Sequence, residues 1–206
     1  LSDFIADRLA VLGISQVFMV TGGGSMHLNH SLATHSLITC THNHHEQACA
    51  MAADSYFRLS GKLAVVNVTT GPGATNAITG VYGAWTDSLG MLVISGQVKW
   101  ETTVQSTALP LRQLGDQEIN IIKSIESLTK YAITITDPNS IKYHLDKAIY
   151  LATSGRPGPT WIDIPINVQA SIIDTDELIE FDPSEIDEPW KNTDLPNICQ
   201  TILEKL

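Results

Sequence analysis

Two segments of this 206-residue chain contain the residue types that could carry out chemistry. Residues 42–50 read H-N-H-H-E-Q-A-C-A and place a carboxylate, Glu46, before a run of small residues. Residues 69–76 read T-T-G-P-G-A-T-N and contain a Gly-Pro-Gly turn. A positioned carboxylate can exchange a proton with a bound group, and glycines let a backbone approach a ligand closely. Together the two segments suit a flat ligand held between two loops.

The predicted helix that starts near Glu46 has little side-chain bulk. Ala48, Ala50, Ala52 and Ala53 follow the carboxylate, so another element can pack closely on this helix. A carboxylate beside such a surface can be desolvated, which would suit proton exchange near neutrality. An acidic residue in a first turn also stabilises any helix through the helix dipole. The residues alone leave both interpretations open.

Three histidines beside Glu46 resemble a metal site. In an extended stretch His42 and His44 would share one face, with His45 next to them, as in metal hydrolases with an H-x-H unit at a strand end. Such sites need further ligands at other sheet positions, and the only histidine downstream is His144, on a predicted helix far along the chain. We therefore predict no metal here and keep a metal hydrolase as the third choice of function.

The two glycine loops differ in how specific they are. The loop at 22–24, Gly-Gly-Gly, suggests dinucleotide binding, but it lacks the G-x-G-x-x-G spacing and the acidic residue about 20 positions later. In the turn at 71–73, the proline fixes φ and the glycines allow close approach to a ligand. Thr75 and Asn76 are candidates to cap the helix that follows. The same turn also suits an ordinary strand–helix connection.

Apolar spacing predicts the elements that position these residues. Strands are predicted at 16–20, 36–40, 63–68, 91–95, 131–135 and 160–164. Helices are predicted at 1–12, 26–34, 45–59, 74–85, 116–127 and 138–153, with Ser25 as an N-cap and Gly61 as a helix end. This alternation predicts a three-layer α/β/α fold around a mostly parallel six-stranded sheet. Ligands bind such sheets at the carboxyl ends of the strands, where both chemical segments lie.

Charge and composition exclude several classes of function. The net charge is −10, and residues 171–206 hold ten acidic and two basic side chains. No basic patch favours nucleic acid, and no apolar run is long enough to span a membrane. The cysteines at 40, 49 and 199 are scattered, which favours a reduced, cytoplasmic compartment.

The pattern of the sequence predicts three parts. Residues 1–170 read as one α/β domain, 171–194 as an acidic linker, and 195–206 as the start of a second domain with helical spacing. The chain begins with leucine rather than methionine, so we expect a piece of a longer protein.

Five motifs in a familiar order carry a resemblance to a known family. They are V-F-M-V-T-G-G-G (17–24), H-E-Q-A-C-A-M-A-A-D-S-Y-F-R (45–58), T-T-G-P-G-A-T-N-A-I-T-G (69–80), D-S-L-G-M-L-V-I-S-G-Q-V (87–98) and G-R-P-G-P-T-W-I-D-I-P (155–165). Over residues 1–170 the chain resembles the N-terminal pyrimidine-binding domain of thiamine-diphosphate-dependent enzymes, in the acetolactate synthase-like branch. The resemblance makes 195–206 the start of a truncated central domain.

The resemblance implies roles for individual residues. Glu46 matches the glutamate that hydrogen-bonds the pyrimidine N1′ of the cofactor and helps to activate its thiazolium C2. Gln117 matches a glutamine near the substrate, so these two are the expected catalytic residues. The expected cofactor contacts are Glu46 together with Gly22, Gly23, Thr70, Gly71, Pro72, Gly73 and Asn76.

The resemblance also implies cofactors, partners and a reaction. Thiamine diphosphate would be shared with a diphosphate- and Mg²⁺-binding domain of another subunit, whose G-D-G…N-N pattern is missing here; whether FAD is also bound stays open. The full-length enzyme, a homodimer or homotetramer, would form or cleave a carbon–carbon bond next to the carbonyl of a 2-oxoacid-type substrate. Self-association is expected through the helices at 45–59 and 74–86, and the chain alone is expected to be inactive.

Departures from the family keep other functions open. Asp116 stands where acetolactate synthases have phenylalanine, which would turn an aromatic wall into a polar one. Thr69 stands where benzoylformate decarboxylase-like enzymes have histidine, and residues 97–117 lack the paired histidines of pyruvate decarboxylase-type enzymes. The alternatives are a 2-oxoacid decarboxylase and a catalytically silent binding or regulatory domain of the same fold.

Overall fold

The computed structural model of the chain describes residues 1–187 and 194–206. The strands are β1 (Gln16–Met19), β2 (Thr39–His42), β3 (Val65–Val68), β4 (Met91–Gln97), β5 (Tyr131–Thr134) and β6 (Pro159–Pro165). The helices are α1 (Ser2–Val11), α2 (Met26–Thr34), α3 (Glu46–Ser60), α4 (Pro72–Asp87), α5 (Ile121–Ile125), α6 (Ile141–Thr153), α7 (Ile166–Gln169) and α8 (Leu195–Leu203).

The six strands form one parallel sheet in the order β2-β1-β3-β4-β6-β5. Side chains of β4 alternate between two buried clusters: Leu92 and Ile94 contribute to the cluster beneath α1, α2 and α6, whereas Met91 and Val93 contribute to the cluster beneath α3, α4 and α5. Every residue of β4 is buried because helices cover both faces. The predicted three-layer α/β fold is confirmed.

Helix ends agree only in part with the sequence predictions. Gly61 ends α3 with a left-handed φ of 67°, as predicted. Ser25 stands at the N-cap position of α2, but its hydroxyl donates to Gly22 O and to Asn29 Oδ1 and makes no capping bond. Thr75 and Asn76, the predicted cap candidates of the next helix, are not caps, because α4 already begins at Pro72.

The predicted helix at 116–127 is wrong at its start. Helix α5 begins only at Ile121, where the Asn120 side chain accepts the Lys123 N–H. Gln117 has a left-handed φ of 57°, and the Glu118 carboxylate accepts bonds from loop backbone instead of facing outward on a helix. Side-chain bonds to the backbone compete with helix formation, and apolar spacing does not reveal them.

The segment after α7 lies along α6. Leu178 is buried, the Phe181 ring lies 5.8 Å from Tyr143 and 5.6 Å from Tyr150, and Lys142 pairs with Glu180 at 2.7 Å. Residues 188–193 of the predicted linker lie outside the described residues, and every residue of α8 is exposed. The division into domain, linker and second domain stays a prediction.

Small residues let α3 and α4 pack closely. Ala50, Ala53, Ala77 and Ala84 are buried in the cluster that these helices share. A Cβ atom on Gly80 would come within 2.5 Å of the Ala50 Cβ and 3.0 Å of the Met51 nitrogen. These small residues therefore serve packing within the domain, and any contact with a second copy must use other side chains of the two helices.

We predict opposite effects for alanine at two glycines of α4. Gly80→Ala should destabilise the chain by about 1–3 kcal/mol, because a methyl group there overlaps α3. Gly83→Ala is the matched control: its nearest neighbour would be Asp54 Oδ2 at 3.8 Å, so alanine should stabilise the helix by about 0.5–1 kcal/mol. Equilibrium denaturation measures both, and equal effects would contradict this packing.

Candidate active site

The candidate site lies where the chain reverses its direction across the sheet. β1 pairs with β2 on one side and with β3 on the other, so the order in which the strands are added reverses between β1 and β3. Such a switch point is where open parallel sheets bind ligands. A cleft of about 800 Å³ opens there. Its lining includes Gly22, Gly23, Gly24, Thr69, Thr70, Gln97, Lys99, Asp116 and Gln117.

The loop after β1 packs directly on the loop after β3. Thr69 Oγ1 accepts the Gly24 N–H at 3.0 Å. A Cβ atom at Gly22 would overlap the Thr69 side chain, and one at Gly24 would overlap Thr70 Oγ1. In contrast, Gly23 has open space around its Cα. Two of the three glycines are therefore required by packing inside the protein, and Gly23 is free to face a ligand.

Glu46 is the first residue of α3 and is 9% exposed. Its Oε2 accepts a hydrogen bond from Asn76 Nδ2 at 3.0 Å, and its Oε1 lies beside Gly73, 3.4 Å from where a Cβ atom would stand. The preceding residue, His45, caps α3 by accepting the Gln47 N–H at its Nδ1. The carboxylate is thus held between the start of α3 and the turn before α4.

Gln117 contacts the same turn at Gly71. Gly71 has a left-handed φ of 60°, and a side chain there would overlap the Gln117 carbonyl oxygen. The two expected catalytic residues therefore flank residues 71–76. Four of the expected site residues line the cleft: Gly22, Gly23, Thr70 and Gln117. The other five do not line it and lie at the start of α3 and in the first part of α4 with the turn before it: Glu46, Gly71, Pro72, Gly73 and Asn76.

A pair of asparagines ties the loop after β1 to the sheet, and motif reading did not find it. Asn67 Nδ2 donates to Asn29 Oδ1 at 2.7 Å, and Asn29 Nδ2 donates to Gly22 O at 3.2 Å. The signal was one polar residue in the otherwise apolar strand β3.

A buried carboxylate lies below the cleft and was also missed. Asp163 on β6 is 2% exposed, and it accepts bonds from Ser95 Oγ at 2.6 Å, from Gln97 Nε2 at 3.4 Å and from Thr134 Oγ1 at 3.4 Å. Burial raises the pKa of Asp163 to about 7, although these three bonds lower it. Gln97 also lines the cleft, so it connects the buried group to the site.

The histidines at the end of β2 are solvent-exposed. His42, His44 and His45 all lie on the surface. Within residues 1–187 and 194–206, no three His, Cys, Asp or Glu side chains come together as a group that could hold a metal ion. No helix in the same ranges is long and apolar enough to cross a bilayer.

The protein is an α/β domain of the ligand-binding kind. It has a parallel sheet, a cleft bordered by glycines at the switch point of that sheet, and the buried Glu46 carboxylate at the start of α3. The sequence profile described as thiamine pyrophosphate enzyme, N-terminal TPP binding domain, matches residues 1–123. This chain belongs to that family of thiamine-diphosphate-binding domains.

Acetolactate synthases are among the relatives that match. Acetolactate synthase 1, chloroplastic, of Oryza sativa subsp. japonica is 37% identical over 171 residues, which are 82% of this chain and 25% of the relative. The Arabidopsis thaliana enzyme is 35% identical over 174 residues (83% and 24%), and the Haemophilus influenzae large subunit is 37% identical over 164 residues (80% and 27%). The chain is acetolactate synthase-like and spans about a quarter of the length of these curated relatives.

Asp163 should make the stability of the chain depend on pH. Its pKa is raised from the ordinary value of 3.8 to about 7, so the folded chain keeps a proton that the unfolded chain releases between these values. The free energy of unfolding should therefore fall as pH rises from 4 to 8. A tenfold change in proton affinity is worth about 1.4 kcal/mol, and we expect a fall of at least that size from this group.

Denaturant unfolding of the chain and of Asp163→Asn at pH 5 and pH 8 checks this. We compare the free energy of unfolding of Asp163→Asn with that of the unsubstituted chain at each pH. The difference should favour the variant more at pH 8 than at pH 5, whatever the absolute stability of the variant. Asp176→Asn, at an exposed position, is the control and should leave the pH dependence unchanged. Parallel pH profiles for the chain and Asp163→Asn would contradict the assignment.

Proposed function

We propose that this chain forms the pyrimidine-binding half of the active site of an acetolactate synthase-like, thiamine-diphosphate-dependent transferase or lyase. The enzyme forms or cleaves a carbon–carbon bond next to the carbonyl of a 2-oxoacid-type substrate. The observation that carries the proposal is the buried Glu46 carboxylate, bonded to Asn76 and packed beside the Gly-Pro-Gly turn at 71–73. The family assignment and the acetolactate synthase relatives also support this proposal.

The residues at the site fit a flat, basic ring. A carboxylate can share a proton with a ring nitrogen. At Gly73 a Cβ atom would be only 2.7 Å from Thr69 Cγ2, so glycine at this position lets the turn lie close to Thr69 and to that carboxylate. Besides Glu46, the proposed cofactor contacts are Gly22, Gly23, Thr70, Gly71, Pro72, Gly73 and Asn76. When bound, thiamine diphosphate supplies an acyl-anion equivalent. We propose that another subunit holds its diphosphate and Mg²⁺.

Glu46 and Gln117 have different proposed roles. Glu46 holds or releases a proton at the ring, and its Asn76 bond fixes the orientation of the carboxylate. The low exposure of Glu46 limits competition from water. Gln117 lies across the turn and lines the cleft together with Asp116, so we place the carbonyl substrate on that side.

Product analysis of the full-length protein tests the function. The protein is incubated with thiamine diphosphate, Mg²⁺, pyruvate and a panel of carbonyl acceptors, with and without FAD. A new carbon–carbon bond that depends on thiamine diphosphate supports the proposal. Release of CO₂ with an aldehyde as the only product would identify a 2-oxoacid decarboxylase, and no cofactor-dependent reaction would identify a catalytically silent domain.

We predict that Glu46→Gln in the full-length enzyme slows the exchange of the cofactor C2 proton by about 10²–10⁴-fold, the usual contribution of a positioned acid or base. Glutamine keeps the size and a hydrogen-bond acceptor for Asn76 but cannot share the proton. NMR of deuterium exchange measures the rate. Asp54→Asn, which removes a carboxylate from the same helix, is the control. Near-normal exchange in Glu46→Gln would assign the proton transfer to another group.

We also predict that the chain self-associates through the outer faces of α3 and α4. Met51, Tyr82 and Trp85 are 46%, 56% and 38% exposed there. Tyr82→Arg should raise the dissociation constant at least about tenfold, because aromatic anchors dominate such contacts. Sedimentation at several concentrations measures it, with the exposed Leu109→Arg as control. A strict monomer, or a dimer that Tyr82→Arg leaves unchanged, would contradict this interface.

A further inference from the structure

One carboxylate holds the loop that carries Gln117. The segment between β4 and α5 leaves the carboxyl end of the sheet and returns to it. The Glu118 carboxylate accepts the Val104 N–H at 2.9 Å through Oε1 and the Gly115 N–H at 2.9 Å through Oε2. Hydrogen bonds from backbone N–H groups to an ionised carboxylate are stronger than neutral ones. Glu118 therefore fastens the outgoing and the returning parts of the loop to each other.

The residue beside this carboxylate has an unusual backbone. Gln117 is one of two non-glycine residues with positive φ in the described ranges. A left-handed backbone is unfavourable for a side chain with a Cβ atom, and it persists where the surroundings determine it. Here Glu118 holds the loop next to Gln117, and Gln97 Nε2 donates to Ile119 O at 2.9 Å on the other side of Glu118.

The conformation of Gln117 places its carbonyl oxygen against Gly71. Any side chain at Gly71 would overlap that oxygen, so the loop and the turn are fitted to each other at this point. The packing at Gly115 is similarly close, because a Cβ atom there would lie 2.7 Å from Thr102 O and 2.8 Å from Val98 Cγ2. The loop therefore has little freedom while its carboxylate bonds are intact.

Glu118 itself does not face the cleft. Asp116 and Gln117 line the 800 Å³ cleft, whereas Glu118 lines a smaller one of about 320 Å³ on the other side of the loop. Both of its oxygens already accept backbone N–H groups. Glu118 is therefore placed to act on the reaction through the loop residues that line the cleft, Asp116 and Gln117.

We propose that Glu118 is a positioning residue: by bridging Val104 N and Gly115 N, it fixes Gln117 in its left-handed conformation against Gly71, at the substrate side of the site. This inference rests on the proposed role of Gln117 near the substrate. It assigns Glu118 no contact with cofactor or substrate.

NMR of the 206-residue chain tests the conformational part and needs no ligand. In Glu118→Ala, the amides of Val104 and Gly115 should exchange with solvent about 10–100-fold faster, as expected for loss of a charge-assisted hydrogen bond. The H–N–Cα–H coupling and carbon shifts of Gln117 should lose their left-handed values. Glu118→Gln keeps one carbonyl acceptor and should be intermediate. Glu101→Ala is the control, because that carboxylate on the same loop accepts from the Asn167 side chain instead of the loop backbone.

A double-substitution cycle in the full-length enzyme tests the functional part. Turnover is measured with whichever carbonyl substrate of the panel the unsubstituted enzyme consumes. Glu118→Ala and Gln117→Ala should each lower kcat/KM at least about tenfold, the usual sensitivity to misplaced contacts. The double variant should be no worse than Gln117→Ala alone, because Glu118 acts through Gln117. Exchange of the cofactor C2 proton should stay within twofold, and Glu118→Gln should partly restore turnover.

The outcomes separate this proposal from the proposed function. Three results would each overturn the role of Glu118. They are multiplicative losses of kcat/KM in the double variant, a slower exchange of the cofactor C2 proton in Glu118→Ala, and left-handed coupling and carbon shifts of Gln117 that persist in that variant. If the unsubstituted enzyme neither exchanges the C2 proton nor consumes any substrate, the proposed function fails instead. The NMR experiment still decides the conformational role of Glu118 in that case.

Discussion

The close approach of the loops after β1 and β3 to each other and to the end of β4 is the constraint on which the site depends. A Cβ atom at Gly24 would overlap Thr70, and one at Gly96 would overlap the Gly24 carbonyl. The loop after β1 therefore packs on the Thr69 and Thr70 side chains of the loop after β3 and on the backbone near the end of β4. Polar bonds fix the arrangement, from Gly24 N to Thr69 and from Gln169 Nε2 to Gly24 O at 2.7 Å. Because these contacts join neighbouring strands, the geometry of the cleft follows from the strand order.

Sequence periodicity was sufficient for the architecture because the central strands are buried on both faces and mostly apolar. Val65–Val68 and Met91–Gln97 are buried throughout, so they stand out from the helices between them. The chemical motifs were equally readable where they coincide with an element end. Glu46 starts α3 and Pro72 starts α4, so the positions of carboxylate and turn follow from the ends of β2 and β3.

The remainder of the site depends on contacts between residues far apart in sequence. Glu118 bonds Val104, fourteen residues earlier, and Asp163 bonds Ser95, 68 residues earlier. Neither bond leaves a periodic trace in the sequence, and the first replaces the helix that apolar spacing predicts at 116–120. Buried polar residues within apolar strands, such as Asn67, Gln97 and Asp163, were the available sign that the sheet carries a polar network. The hydrogen-bond partners of these residues can be identified only from the three-dimensional structure.

The two sides of the site therefore differ in how they are built. Glu46 and Asn76 lie near the starts of two long helices that pack on each other, and groups placed on such elements are held more accurately than groups on loops. Gln117 and Asp116 belong to a loop whose shape depends on a few side-chain bonds to its backbone. Proton exchange with a cofactor needs one fixed geometry, whereas substrate choice changes with the residues that line the wall of a loop. A carboxylate at position 116 alters the polarity of that wall without disturbing Glu46. Under the proposed function, the aspartate at this position would therefore bear on which carbonyl compound is accepted, and activation of the cofactor would stay with the residues on the two helices.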